Sequence, residues 1–165
     1  MGDDRLTPEG ERVFRELKKL GDMVVQIGFQ HGAATEENGA DVCDVAAFNE
    51  LGTETIPSRP FLRDSVDDNE DEIVKFLQSK VVDIIHGKTA EQVLKEIGVF
   101  QKDMVQTTIE DGYFEPNKKI TVNGGWMRNK KTGKPFYVEG KKTAHPLIDT
   151  GTMKNSVNFV IKKKG

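Results

Sequence analysis

The chain has 165 residues and a mass of 18.4 kDa, with 36% hydrophobic residues, 31% charged residues and a mean hydropathy of -0.54. That size suits one domain core, and no apolar run approaches the roughly 20 residues that a membrane-spanning helix needs. Cys43 is the sole cysteine, so no internal disulfide can form, and a soluble protein of a reducing compartment is expected. The opening MGDDRLTPEGER lacks the layout of a secretory leader, and Leu6 stands where a myristoylation motif wants Ser or Thr.

The net charge of -3 is unevenly spread: residues 1–82 carry 18 acids against 9 bases, and residues 113–165 carry 3 acids against 12 bases. Such a chain can pair its own halves, stack head to tail with copies of itself, or meet a polyanion.

In chain order, Pro8–Leu20 reads as a first helix, with Thr7 as N-cap, Pro8 at the first position, an apolar stripe of Val13, Leu17 and Leu20 beside Phe14, and Gly21 as the stop. Met23–Gln30 is rich in Val and Ile and reads as a strand. After a polar connection to Asp41, Asp44 is placed to cap a short helix over Val45–Leu51, closed by Gly52. Residues 53–66 hold Pro57 and Pro60, which push Ile56 and Arg59 out of helical geometry, so this piece should run extended over a surface.

A long helix follows an acidic first turn, with Ile73, Leu77, Val81, Ile84 and Ile85 on one face, and Gly87 breaks it. Thr89 and Gln92 form a capping box for a second long helix, whose Val93, Ile97, Phe100, Met104 and Thr108 recur at helical spacing as far as Gly112. From Tyr113 to His145, Lys, Asn, Gly and Pro dominate and no period lasts, which predicts a flexible basic arm at about 113–145. Asp149 or Thr150 is placed to cap a short helix at Thr152–Ser156, and Val157–Lys163 alternates as a closing strand. These elements predict a single α+β domain over 1–165, a small, mainly antiparallel sheet with long helices packed on one face.

No pattern here builds a catalytic or metal centre. Leu147-Ile148-Asp149-Thr150-Gly151-Thr152 has the look of an aspartic-protease loop, but too little chain follows Gly151 to shape a cleft, and helix capping explains it more simply. The acids of Asp67–Glu72 fail the calcium-loop pattern, which wants Gly at the sixth position and Glu at the twelfth; Glu72 and Gln78 stand there. His31, His86 and His145 are far apart and lack zinc-ligand spacing, so no enzyme, no cofactor and no metal is expected. The stretch 113–142 sets Trp126, Phe136 and Tyr137 among Lys130, Lys131, Lys134, Lys141 and Lys142, which supports a nucleic-acid-binding module as the alternative function.

Two stretches carry a family resemblance. Ala46-Ala47-Phe48-Asn49-Glu50-Leu51-Gly52-Thr53 followed by Ile56-Pro57-Ser58-Arg59-Pro60-Phe61-Leu62-Arg63, and then Pro146-Leu147-Ile148-Asp149-Thr150-Gly151-Thr152-Met153-Lys154-Asn155-Ser156-Val157, resemble two motifs of tailed-bacteriophage neck and tail-completion proteins, in the same order and at similar separation. That group includes minor tail protein Z and head–tail joining proteins. Leu51 departs from it, since an aromatic is common at that position. The resemblance implies a virion structural protein of a phage or prophage, present in the host cytoplasm during assembly, which joins head to tail or completes the tail without catalysis. Its implied partners are copies of itself in a ring, with a hexamer as one candidate size, and other head, neck or tail proteins, with neither membrane nor nucleic acid. Glu50, Gly52, Thr53, Leu147, Asp149, Thr150, Gly151 and Ser156 are the motif positions. Ile56, Pro57, Arg59, Pro60, Phe61 and Arg63 are the expected interface, because rigid prolines would present Phe61 at a fixed place and Arg59 could grip a carboxylate with two parallel hydrogen bonds.

Overall fold

The protein is described by a computed structural model, which describes residues 6–141, 144–148 and 151–165. In chain order the elements are α1 (Pro8–Gly21), β1 (Met23–Gly28), α2 (Val42–Leu51), α3 (Phe61–Asp67), α4 (Glu70–Ile85), α5 (Ala90–Asp111), α6 (Lys119–Asn123), β2 (Gly125–Arg128), β3 (Pro135–Val138), α7 (Thr152–Ser156) and β4 (Asn158–Lys163). The class is α+β, with β1 antiparallel to β4 and β2 antiparallel to β3.

Although its length suggests one domain, the chain divides into two compact units, each assembled from separate stretches of sequence. The first comprises residues 1–28, 62–105 and 158–165, and the second comprises residues 29–61 and 106–157. This partition dissolves the charge asymmetry of the linear chain. The first unit draws 16 acids and 14 bases, the second 11 acids and 10 bases, because each takes pieces from both halves. Opposite charge survives only as local clusters.

In the first unit, β1 and β4 pair from Met23↔Lys163 to Gly28↔Asn158, and the helices back one face of the pair. The approach is close at Gly98 of α5, where a Cβ would lie 2.2 Å from the Phe159 ring of β4. Helices α4 and α5 clasp through the stacked rings of Phe76 and Phe100, 3.9 Å between centroids, and through an ion-pair cluster. Lys80 and Lys88 both reach Asp83 and Glu96, at 2.7–3.1 Å. The pairing with Lys80, and then with Lys88, holds the Asp83 and Glu96 carboxyls below their ordinary range. Helix α1 secures this pair at both ends of their connection. Arg12 donates to the Ile84 and Ile85 carbonyls at the C-terminus of α4, and Glu16 accepts from the Ala90 N–H at the N-terminus of α5. Each charge has the sign that the helix dipole favours at that end. The capping box holds as expected: Thr89 N donates to Gln92 Oε1 at 2.9 Å and Gln92 N to Thr89 Oγ1 at 3.3 Å.

Several expectations need correction. The cap of α2 is Asp41 rather than Asp44: its Oδ1 accepts from Cys43 N and its Oδ2 from Gly32 N. Those two backbone donors, with Gly32 the larger influence, hold the Asp41 carboxyl below its usual value. The extended stretch ends at Pro60, since Phe61 opens α3, and the long helix expected from Asp67 is interrupted before Glu70. On α4 the packed side is Ile73, Phe76, Lys80 and Ile84, whereas Leu77, Val81 and Ile85 are exposed. Aliphatic residues lie on both sides of this helix, so hydrophobic spacing alone could not choose the face, and the aromatic stack did. Phe14 likewise points to solvent. The span 113–145 is not devoid of regular structure, for it contains α6 and the β2–β3 hairpin.

Candidate functional site

The second unit brings the two sequence motifs together. Helix α2 packs on α7, and in this unit Val42, Ala46, Phe61, Ile109, Leu147, Met153 and Val157 are all buried. A cavity of about 510 Å³ opens between these segments, lined by Val45 and Asn49 on one side and by Pro146, Leu147, Gly151 and Met153 on the other. Its walls also include Glu139 and Lys141.

Arg59 is the organising residue. Only 3% of it is exposed, and three of its nitrogen atoms donate: Nε to the Glu115 carbonyl at 2.9 Å, one terminal nitrogen to Asn49 Oδ1 at 2.9 Å, the other to Asn117 Oδ1 at 3.0 Å. Its backbone N–H donates to the Asn49 carbonyl at 2.6 Å. The guanidinium thus ties α2 to residues 115–117 through neutral oxygens, where the sequence suggested a carboxylate grip. Burial lowers its pKa from the usual guanidinium value, and the charge of Glu115 opposes that shift.

Phe61 is fully buried, and its ring meets Phe29 edge to face at 6.0 Å between centroids. The expectation that Phe61 and Arg59 face a neighbouring molecule is therefore corrected. The two prolines do hold the chain extended, but they deliver both side chains into the unit's own interior. Ile56, Pro57 and Pro60 are half-buried beside them, and Arg63 is exposed on α3.

The other motif residues also build local structure. Thr53 Oγ1 accepts from the N–H groups of Thr55 and Ile56, closing the turn after α2, and the Glu50 carbonyl accepts from Ser58 Oγ at 2.8 Å. Gly52 has φ 75° and ψ 170°, a region open essentially to glycine alone, and a Cβ there would meet Ser58 N at 2.9 Å. Gly151, at φ 81°, occupies the cap position of α7, and Ser156 Oγ donates to the Thr152 carbonyl at 2.7 Å. Asp149 and Thr150, the expected caps, lie outside the described residues. His145 donates through Nε2 to the Glu110 carbonyl and accepts at Nδ1 from Leu147 N, so both ring nitrogens hold the backbone. Among the described residues, no three His, Cys, Asp or Glu side chains converge as metal ligands would, and no helix is long and apolar enough to cross a membrane.

The basic span presents a different surface. In the β2–β3 hairpin, Trp126 faces Tyr137 and Met127 faces Phe136 across the ladder, so apolar side chains emerge on both faces. They are exposed by 72%, 58%, 42% and 45%. Trp126 and Tyr137 pack edge to face, 5.6 Å between centroids. At the tip, Asn129 Oδ1 accepts from the N–H groups of Lys131 and Thr132, and Asn129 N donates to the Lys134 carbonyl. Sequence reading found these aromatics and lysines but not the hairpin. The signal was there: two short runs, GWMR and PFYV, flank NKKTGK, whose Asn and Gly are turn residues.

Compared with protein-family models, with curated proteins and with solved structures, the chain finds no match.

Proposed function

We propose that the chain is a virion structural protein of a tailed phage or prophage, acting in tail completion or head–tail joining as a ring of identical subunits and without catalysis. The observation that carries this is the meeting of the two resemblance motifs. Residues 46–61 and 146–157 are about a hundred positions apart, yet α2 packs on α7 and both stretches line one cavity in the second unit. Two unrelated matches would have no reason to meet in this way, whereas the parts of one ancestral fold would. Other head, neck or tail proteins are the further partners, and the particle is the site of action.

Solution mass by light scattering, together with complementation of particles lacking this protein, tests the reading. A closed multimer that restores head–tail joining is expected. A monomer that leaves joining defective would overturn it, as would turnover of a generic peptide or ester substrate that is lost on changing His145. A nucleic-acid-binding module is the second reading, favoured by exposed Trp126 and Tyr137 beside Arg128, Lys130 and Lys131. A salt-dependent mobility shift of duplex DNA, with no self-association, would select it.

A further inference from the structure

We propose that the β2–β3 hairpin of one copy of the chain seats in an apolar groove beside β1 on the first unit of a second copy. The proposal rests on the ring reading above and names the surfaces that would join the subunits.

The groove has a volume of about 370 Å³ and is lined by Val25 and Ile27 of β1, Leu62 and Val66 of α3, Leu77 of α4 and Ile97 of α5. Exposed Val74 and Val81 continue the line of Leu77 along α4 at helical spacing. Strand β1 pairs only with β4, and no other strand covers its second edge among the described residues. The first unit therefore presents apolar side chains together with an open backbone edge, a combination suited to an incoming strand.

The hairpin has the matching requirement. An isolated two-stranded ribbon is marginal in water, and this one exposes large apolar side chains on both faces. Such a ribbon suits insertion, with one face on a groove and the other under a rim. A nucleic-acid contact would use the aromatic rings as stacking platforms. Here Trp126 and Tyr137 lie at 71° to each other, and Met127 and Phe136 on the reverse face would stay uncovered.

Charge selects the occupant. Residues 125–138 carry four cations, Arg128, Lys130, Lys131 and Lys134, and no carboxylate. Residues 61–77, which supply Leu62, Ser65, Val66 and Leu77 to the groove, carry six carboxylates against Arg63 and Lys75. Of these, Asp64, Asp67 and Asp68 crowd one another, and burial followed by that repulsion raises the Asp64 carboxyl above its ordinary value. Cations delivered by the hairpin would relieve this crowding. Because hairpin and groove are different surfaces, the contact is heterologous, the type that continues from copy to copy and makes a ring when the rotation closes. A second copy of this chain is thus the occupant.

Trp126 is the only tryptophan, so its emission reports directly on the hairpin. Sedimentation velocity and tryptophan emission should be followed over a concentration series for the wild type, Phe136→Ser and Val66→Glu. Both substitutions fall at exposed positions, and circular dichroism checks that the fold is kept. Wild type should assemble with a blue shift of emission. Each variant alone should remain monomeric with red emission. An equimolar mixture should form a heterodimer and nothing larger, since each variant keeps one competent surface. A charge-reversed pair provides an independent arm: Lys130→Glu with Lys131→Glu should lose assembly, and a partner carrying Asp67→Lys with Asp68→Lys should restore binding. Variants that assemble like wild type with unchanged emission would overturn the hairpin–groove contact and leave the ring reading intact. A wild type that stays monomeric would overturn both. Quenching of Trp126 by duplex DNA without self-association would also overturn the proposal and assign the hairpin to nucleic acid.

Discussion

Ile56–Phe61 and Gly125–Val138 have nearly the same ingredients, a proline, an arginine and a phenylalanine within a short stretch, yet they have opposite fates. In the first, Arg59 and Phe61 are buried and every contact described for them lies within their own unit. In the second, Trp126, Met127, Phe136 and Tyr137 stand in solvent on a well-hydrogen-bonded ribbon. Composition marked both as contact segments, but only one is free to make a contact. What separates them is the supply of partners: Asn49, Asn117 and the Glu115 carbonyl surround Arg59 on three sides, whereas the hairpin cations are exposed. A rigid, aromatic, cationic segment is an interface only if its own fold leaves it unused.

The largest expected effect falls on the buried segment. Phe61→Ala should cost about 3–5 kcal/mol in urea unfolding of the isolated chain, as expected for an aromatic deleted from a packed core. A loss below about 1 kcal/mol with failed assembly would reverse the comparison and return Phe61 to an interface. Arg59→Met should cost roughly 1–3 kcal/mol for each buried acceptor it leaves unpaired, with some recovered if water enters. Thermal melts of this variant beside Asn49→Ala, combined in a double-mutant cycle, would measure how much of the loss the two residues share.

The two β-ribbons sharpen the contrast at a smaller scale. Gly98 lets α5 approach β4, so Gly98→Ala must push the Phe159 ring aside, at a cost of about 1–3 kcal/mol by denaturant titration. In the β2–β3 ribbon Phe136 is exposed, and Phe136→Ser should change the stability of the isolated chain by no more than about 0.5 kcal/mol. If Phe136→Ser proved as costly as Gly98→Ala, the hairpin would be part of its own core.

The smallest effects are electrostatic, and their signs differ within the first unit. Asp83 and Glu96 have folded-state values below their ordinary 3.8 and 4.5. Their contribution is therefore fully present above those values and is lost as pH falls through the lowered ones. Asp64 is shifted upward, so its ionisation opposes folding at neutral pH, and that opposition fades as pH falls through its raised value. Asp64→Asn should thus raise the urea midpoint slightly at neutral pH, by an amount that shrinks on acidification. Asp83→Asn should lower the midpoint at neutral pH, and that difference should also shrink on acidification. The same sign for both variants at neutral pH would contradict the assignment.

Much of the fold was legible in the chain because its signals are local. Pro8 after Thr7, the Thr89–Gln92 box and the glycines that close helices act over three or four residues, and α1, α5, α7 and the β1 and β4 segments follow them closely. The hairpin was missed because its strands are four residues long, too short to establish a period against the surrounding lysines. The face of α4 was missed because apolar residues lie nearly all around it, and only the Phe76–Phe100 stack and the Lys80 cluster distinguish one side.

What the sequence determined by itself is therefore the identity and span of most elements, the α+β class, and the two motifs on which the proposed phage neck or tail role rests. Tertiary structure alone decided that the chain splits into two units assembled from alternating segments, that this partition nearly cancels the charge asymmetry of the halves, and that Arg59 and Phe61 turn inward while Trp126 and Phe136 turn outward. The physical reason is range. Caps, turns and periodicity are set by neighbours a few bonds away, whereas burial depends on which distant segments arrive to supply hydrogen-bond acceptors and apolar surface, and no local pattern encodes that arrival.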